Sequence, residues 1–118
     1  MKSKAKALAA AKIATGKKAV DVCVLELKGV SIIADYFIIC SGESTTQVRA
    51  IAEAIEESFS KKGIRPLGIE GLKNSRWVLM DYGDVIIHIF EEETRAYYQL
   101  EKLWLDAPAI QIEEKGHN

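Results

Sequence analysis

The chain has 118 residues, 48% of them hydrophobic and 28% charged, with a formal net charge of −1. This length and make-up fit one soluble domain with a real apolar core, and no apolar run approaches the length of a membrane span. A near-neutral balance also argues against a dedicated nucleic-acid binder, whose domain should be clearly basic. The charge is uneven all the same. Residues 1–20 carry Lys2, Lys4, Lys6, Lys12, Lys17 and Lys18 with no acid, whereas acids cluster after Phe90, beginning with Glu91, Glu92 and Glu93. Such polarity marks solvated faces and can steer a protein onto a charged assembly. The lysine- and alanine-rich start has no signal-peptide pattern, so a cytoplasmic protein is expected. Cys23 and Cys40 sit in apolar runs and read as small core residues of a reduced protein.

In chain order, Ser3 to about Lys17 reads as a helix of good helix formers, ended by Gly16 and the lysines after it. Its apolar face (Ala5, Leu8, Ala9, Ile13) is thin, which predicts packing through small residues. Asp21 to Leu27 is a first strand, turned by Lys28-Gly29. Tyr36 to Cys40 is a second, and its unbroken apolar run predicts cover on both faces. Ser41-Gly42-Glu43-Ser44-Thr45 leads into a helix to about Lys62, with Ser44 and Gln47 spaced for a capping box and Val48, Ile51, Ala52, Ile55 and Phe59 on one stripe. Gly63 caps that helix and Pro66 prevents its continuation. Leu67 to Glu70 suits a short edge strand.

Arg76 to Phe90 is the stretch the rest is organised around. Two apolar runs flank Asp81-Tyr82-Gly83-Asp84, and Tyr82 favours a type I turn with Gly83 as a left-handed bulge. A last helix begins near Glu91-Glu92-Glu93, acids well placed against the positive end of the helix dipole. Tyr97, Leu100 and Trp104 are its expected buried face, and Asp106-Ala107-Pro108 its stop. From Ile110 on, a loosely held tail is expected. The sum is an α/β (α+β) fold: a single mixed β-sheet of about five strands with helices packed on it.

Catalytic chemistry finds little support. The Ser41–Thr45 turn could cradle a phosphate, but it lacks a lysine and carries Glu43, so it reads as a cap. Asp81 and Asp84 straddle a tight turn, whereas a metal pair needs acids one residue apart on a strand, pointing to one side. His88 lies about 13 Å along an extended strand from Asp84, too far to share an ion with it, and reads as a hydrogen-bonded structural histidine. No cofactor, no metal site and no enzyme activity are expected.

The ordered set of motifs carries a family likeness. Asp35 to Ser44 with Gln47 to Ala52, then Glu70-Gly71, Trp77 to Phe90, and the run from Arg95 through Tyr97-Tyr98 and Leu103-Trp104 to Asp106-Ala107-Pro108 resemble the signatures of the ribosomal silencing factor family (RsfS, Iojap-like). Residues 1–110 form the domain this implies and 111–118 a tail. The resemblance implies a nucleotidyltransferase-like fold without the catalytic acids. It also implies binding to the large ribosomal subunit through its fourteenth ribosomal protein, which blocks joining of the small subunit when nutrients are short; the near-neutral charge fits docking mainly on a protein, with at most a minor contact to ribosomal RNA. A homodimer of the free protein is implied as well. Organelle relatives are linked to large-subunit assembly, and sequence leaves silencing and assembly open; a nucleotidyltransferase-like enzyme is the remaining alternative.

Alternation along the strand from Arg76 puts Trp77, Leu79 and Asp81 on one side and Val78, Met80 and Tyr82 on the other. One side faces the helices, and the other is free for a partner. Trp77 is either core or anchor. Aromatic anchors with a polar rim are the make-up of protein interfaces, so Lys73, Arg76, Trp77, Met80, Asp81 and Tyr82, with Tyr98 beside them, are the expected docking residues.

Overall fold

Strands β4 (Trp77–Asp81) and β5 (Val85–Glu91) form the expected antiparallel hairpin, paired from Trp77–Phe90 to Asp81–Ile86. The structure is a computed structural model that describes residues 1–104 and 107–110. Gly83 takes φ +88° at the first central position of the turn, where a II′ turn places its glycine, rather than as a bulge after a type I turn. Strand β5 lies parallel to β2 (Tyr36–Gly42), with Tyr36 opposite Val85 and Gly42 opposite Glu91. All seven residues of β2 are buried, as its continuous apolar run requires.

Six strands, one more than expected, make a mixed sheet in the order β3-β4-β5-β2-β1-β6. Strand β1 (Val20–Glu26) pairs antiparallel with β2, and β3 (Gly68–Glu70) is the edge beside β4. The added strand is β6 (Ala109–Ile110), two residues paired with Val24 and Leu25, so the start of the supposed tail closes the other edge. Residues 111–118 lie outside the described residues, as does Asp106 of the expected helix stop.

Both long helices cover one face. Helix α1 (Ser3–Gly16) buries Ala7, Ala10, Ala11 and Ala14 completely, a stripe of methyl groups that lets it sit close to the sheet. Lys6 ties it to the hairpin turn through an ion pair with Asp84 at 2.8 Å. Helix α2 (Thr45–Ser60) buries Val48, Ile51, Ala52, Ile55 and Phe59, as its stripe predicts. Half of the capping box forms: Ser44 Oγ accepts from Gln47 N at 3.1 Å, while the Gln47 side chain donates instead to the Lys17 carbonyl.

The opposite face has a second, smaller core of Leu25, Leu27, Phe37, Ile39 and Phe90, closed by Leu100, Trp104 and Ala107. The last helix is not continuous. Helix α3 (Glu92–Tyr98) stops where Gln99 takes φ 49°, and a 3₁₀ turn, Leu100–Trp104, follows. The break redirects the chain, so Leu100 and Trp104 reach the core while Tyr97, expected beside them, is 81% exposed. Among the described residues no helix is long and apolar enough to cross a membrane.

Candidate docking surface

On the face opposite the long helices, Trp77, Leu79 and Asp81 of β4 remain half-buried. Trp77 is fixed from several sides. Its Nε1–H donates to Nδ1 of His88 at 3.1 Å, and its ring lies 4.8 Å from Phe90 and 5.1 Å from Tyr98. Since Nδ1 accepts, the neutral His88 carries its proton on Nε2. Burial holds its pKa at about 4, so it stays uncharged at neutral pH. This is the structural, hydrogen-bonded histidine that its strand position predicts.

Beyond Trp77 an open groove of about 540 Å³ is lined by Gly71, Arg76, Glu93, Tyr97 and Tyr98, among others. Its floor is built by the backbone. Gly71 has φ +91°, and a Cβ there would meet the Trp77 carbonyl oxygen at 2.1 Å, so only glycine lets the loop cross this strand. Its far wall is α3, which buries none of its own residues. Glu91 caps that helix, accepting from the backbone N–H of Glu93 and Thr94. Those bonds hold its carboxyl below the usual range, with Arg76 adding to the effect.

The expected docking residues therefore separate. Arg76, Trp77 and Tyr98 come together around the groove, with Lys73 exposed in the loop before β4. Asp81 stays half-exposed at the far end of β4, where its Oδ1 accepts from Gly83 N at 2.8 Å. Met80 and Tyr82 are corrections. Met80 has no exposed surface and Tyr82 only 7%, because alternation turns both toward α2; the Tyr82 ring meets Phe59 at 5.0 Å. Neither can touch a partner without unpacking the core. Tyr97 and Glu93 line the groove and were not expected there. The exposed glutamate carries no local signal, and only the helix break turns Tyr97 outward.

Asp84 is held by Lys6 and Asp81 by the turn it caps. A smaller cleft at the other side of α3 is lined by Arg95, which donates to the Asp21 carbonyl at 2.8 Å and to Ser41 Oγ at 3.0 Å and pairs with Glu101. Among the described residues no three acids, histidines or cysteines gather as metal ligands would.

The family model described as "Ribosomal silencing factor during starvation" matches residues 1–118. The chain is 50% identical to the ribosomal silencing factor RsfS of Halalkalibacterium halodurans over 82% of its own length and 83% of that protein. With RsfS of Bacillus subtilis the identity is 46%, over 82% of each. A more distant relative is the mouse protein named mitochondrial assembly of ribosomal large subunit protein 1, 34% identical over 71% of this chain and 38% of that protein. A crystal structure of a Chromobacterium violaceum protein superposes with a TM-score of 0.86 at 25% identity, covering 100% of this chain and 98% of the other.

Proposed function

The chain belongs to the ribosomal silencing factor family, and from that premise we propose that it represses translation by occupying the large ribosomal subunit. It binds the subunit's fourteenth ribosomal protein at the face that meets the small subunit, and so keeps the two from joining when nutrients are short. It acts in the cytoplasm by steric exclusion, without a cofactor and without catalysis. The observation that carries this reading is the half-exposed Trp77, locked by His88 and Phe90 and flanked by Arg76 and Tyr98. A rigid aromatic already fixed in place loses little freedom on binding, which is what an interface anchor needs. Lys73, exposed in the loop before β4, supplies polar rim beside it.

Sedimentation of purified large subunits with the protein, followed by small subunits, is the test. The parent should co-sediment stoichiometrically and prevent joining. Arg76→Ala and Tyr98→Ala, both at exposed positions, should melt like the parent yet each bind more weakly. A true anchor costs about 2 kcal/mol, roughly thirtyfold in affinity. Folded variants that bind and block joining as the parent does would move the docking surface elsewhere. The name of the mouse relative favours a second reading, a large-subunit assembly factor. Depletion separates the two: an assembly factor leaves precursor particles in growing cells, and a silencer leaves none.

A further inference from the structure

Three segments far apart in sequence meet at the end of the sheet where β2 passes into α2, and each brings cations. Helix α1 is followed directly by Lys17 and Lys18, the start of α2 carries Arg49, and the loop before β4 carries Lys73 and Arg76. Two side chains of α2 tie the three together. Gln47 donates to the Lys17 carbonyl, and Arg49 donates to the carbonyls of Leu72 and Lys73. All five cations are exposed, and among the described residues none is in an ion pair; the two pairs present are Lys6–Asp84 and Arg95–Glu101. Glu43, exposed on the β2–α2 turn, and Glu91 and Glu93, which line the groove with Arg76, are the acids beside them.

Folding alone does not ask for this arrangement. Lys18 takes φ 66° just beyond the end of α1, its N–H closing on the Thr15 carbonyl at 2.9 Å. Glycine is the residue that fills that position without strain. The loop presenting Lys73 and Arg76 is likewise held in shape, by Gly71 at φ +91° and by Ser75, whose Oγ donates to the Leu72 carbonyl at 2.7 Å. A chain of net charge −1 thus gathers five unpaired cations on rigid supports in one region.

We infer that this belt of Lys17, Lys18, Arg49, Lys73 and Arg76 lies along the phosphate backbone of ribosomal RNA on the large subunit. The inference rests on the docking reading above and adds the contact that reading leaves unplaced. An exposed row of cations suits a polyanion, whose counterions are released on binding. The aromatic groove beside it, which shares Arg76, supplies the apolar anchors that a protein contact needs. Both open at the same end of the sheet, so one docking event engages both.

The test is the salt dependence of binding to isolated large subunits over a potassium chloride series. For the parent, log affinity should fall against log salt with a slope of about −3.5 to −4.5, at roughly 0.7–0.9 for each of the five phosphate contacts. Lys17→Gln with Lys18→Gly, neither in the aromatic groove, should melt no lower than the parent and lose about 1.5 of that slope. Lys17→Arg with Lys18→Arg should keep the slope. A photoreactive side chain at position 17 should give a crosslink removed by ribonuclease. A parental slope in the neutral double variant, or a crosslink to a ribosomal protein, overturns the inference while leaving the docking reading intact. A parent that does not bind large subunits at all overturns both.

Discussion

Trp77 and His88 face each other as members of adjacent strands, and each fixes the state of the other. The indole N–H needs an acceptor, so Nδ1 must be free of its proton, and burial disfavours the charged ring as well. Protonation would set N–H against N–H. The consequence for stability has a definite sign. The folded pKa, about 4, lies below the unfolded value of 6.5, so this contribution is complete above the unfolded value and is lost as pH falls toward 4. Urea unfolding should show a loss of about 2 kcal/mol between roughly pH 7 and pH 5. His88→Gln, which cannot ionise, should remove most of that slope. An equal slope in the variant would assign the pH dependence to other groups. Burial in the main core, beneath the long helices, also raises the Cys40 thiol: fully buried, it is pushed up to about 12 and stays unionised.

At the scale of elements, close packing of α1 is set by methyl groups. Ala7, Ala10, Ala11 and Ala14 leave no exposed surface, so there is no room for a larger side chain. Ala10→Leu should cost about 1–3 kcal/mol by overpacking, measured by denaturant unfolding, although leucine is nearly as good a helix former. Elements with local signals were legible in the sequence. The hairpin around Gly83, the stripe of α2 and the two-sided burial of β2 each follow from period and turn chemistry. Alternation along β4 also separated Trp77, Leu79 and Asp81 from Val78, Met80 and Tyr82 correctly. It could not say which set faces the helices, because that depends on where α2 lands; hence Met80 and Tyr82 were expected outside and lie inside. The break at Gln99 escaped because a left-handed residue there is neither glycine nor asparagine. Strand β6 escaped because two residues have no period, and only pairing with β1 defines them.

For the molecule as a whole, apolar surface remains exposed in the β1–β2 loop and on the 3₁₀ turn after α3. Ile32 is 104% exposed and Ile33 56% in the β1–β2 loop, and Leu103 is 73% exposed. Family resemblance implies a homodimer of the free protein, and such side chains are what a weak self-association would cover. Light scattering should detect a concentration-dependent dimer, and Ile32→Asp should shift it toward monomer without changing the melting temperature. A parent that stays monomeric at every accessible concentration counts against self-association. On the proposed docking, a protein of 13.1 kDa with a radius of gyration of 13.0 Å acts on a far larger assembly only by where it sits. Its activity therefore belongs to the complex, and the docking variants Arg76→Ala and Tyr98→Ala should fail in binding and in blocking together.

The parallel pairing of β2 with β5 has a consequence for how the chain reaches its shape. The β1–β2 and β4–β5 pairs are local and can close early, but Tyr36 meets Val85 only across a long stretch of sequence, with α2, β3 and β4 in between. Loop closure of that kind comes before its reward and slows folding relative to a helical bundle of this size. During synthesis β2, with every residue destined for the interior, has to wait until β5 has left the exit tunnel. For that interval its partner edge is open. The nascent chain is then most exposed to aggregation midway through its own translation, and a pause before Val85 would lengthen the danger.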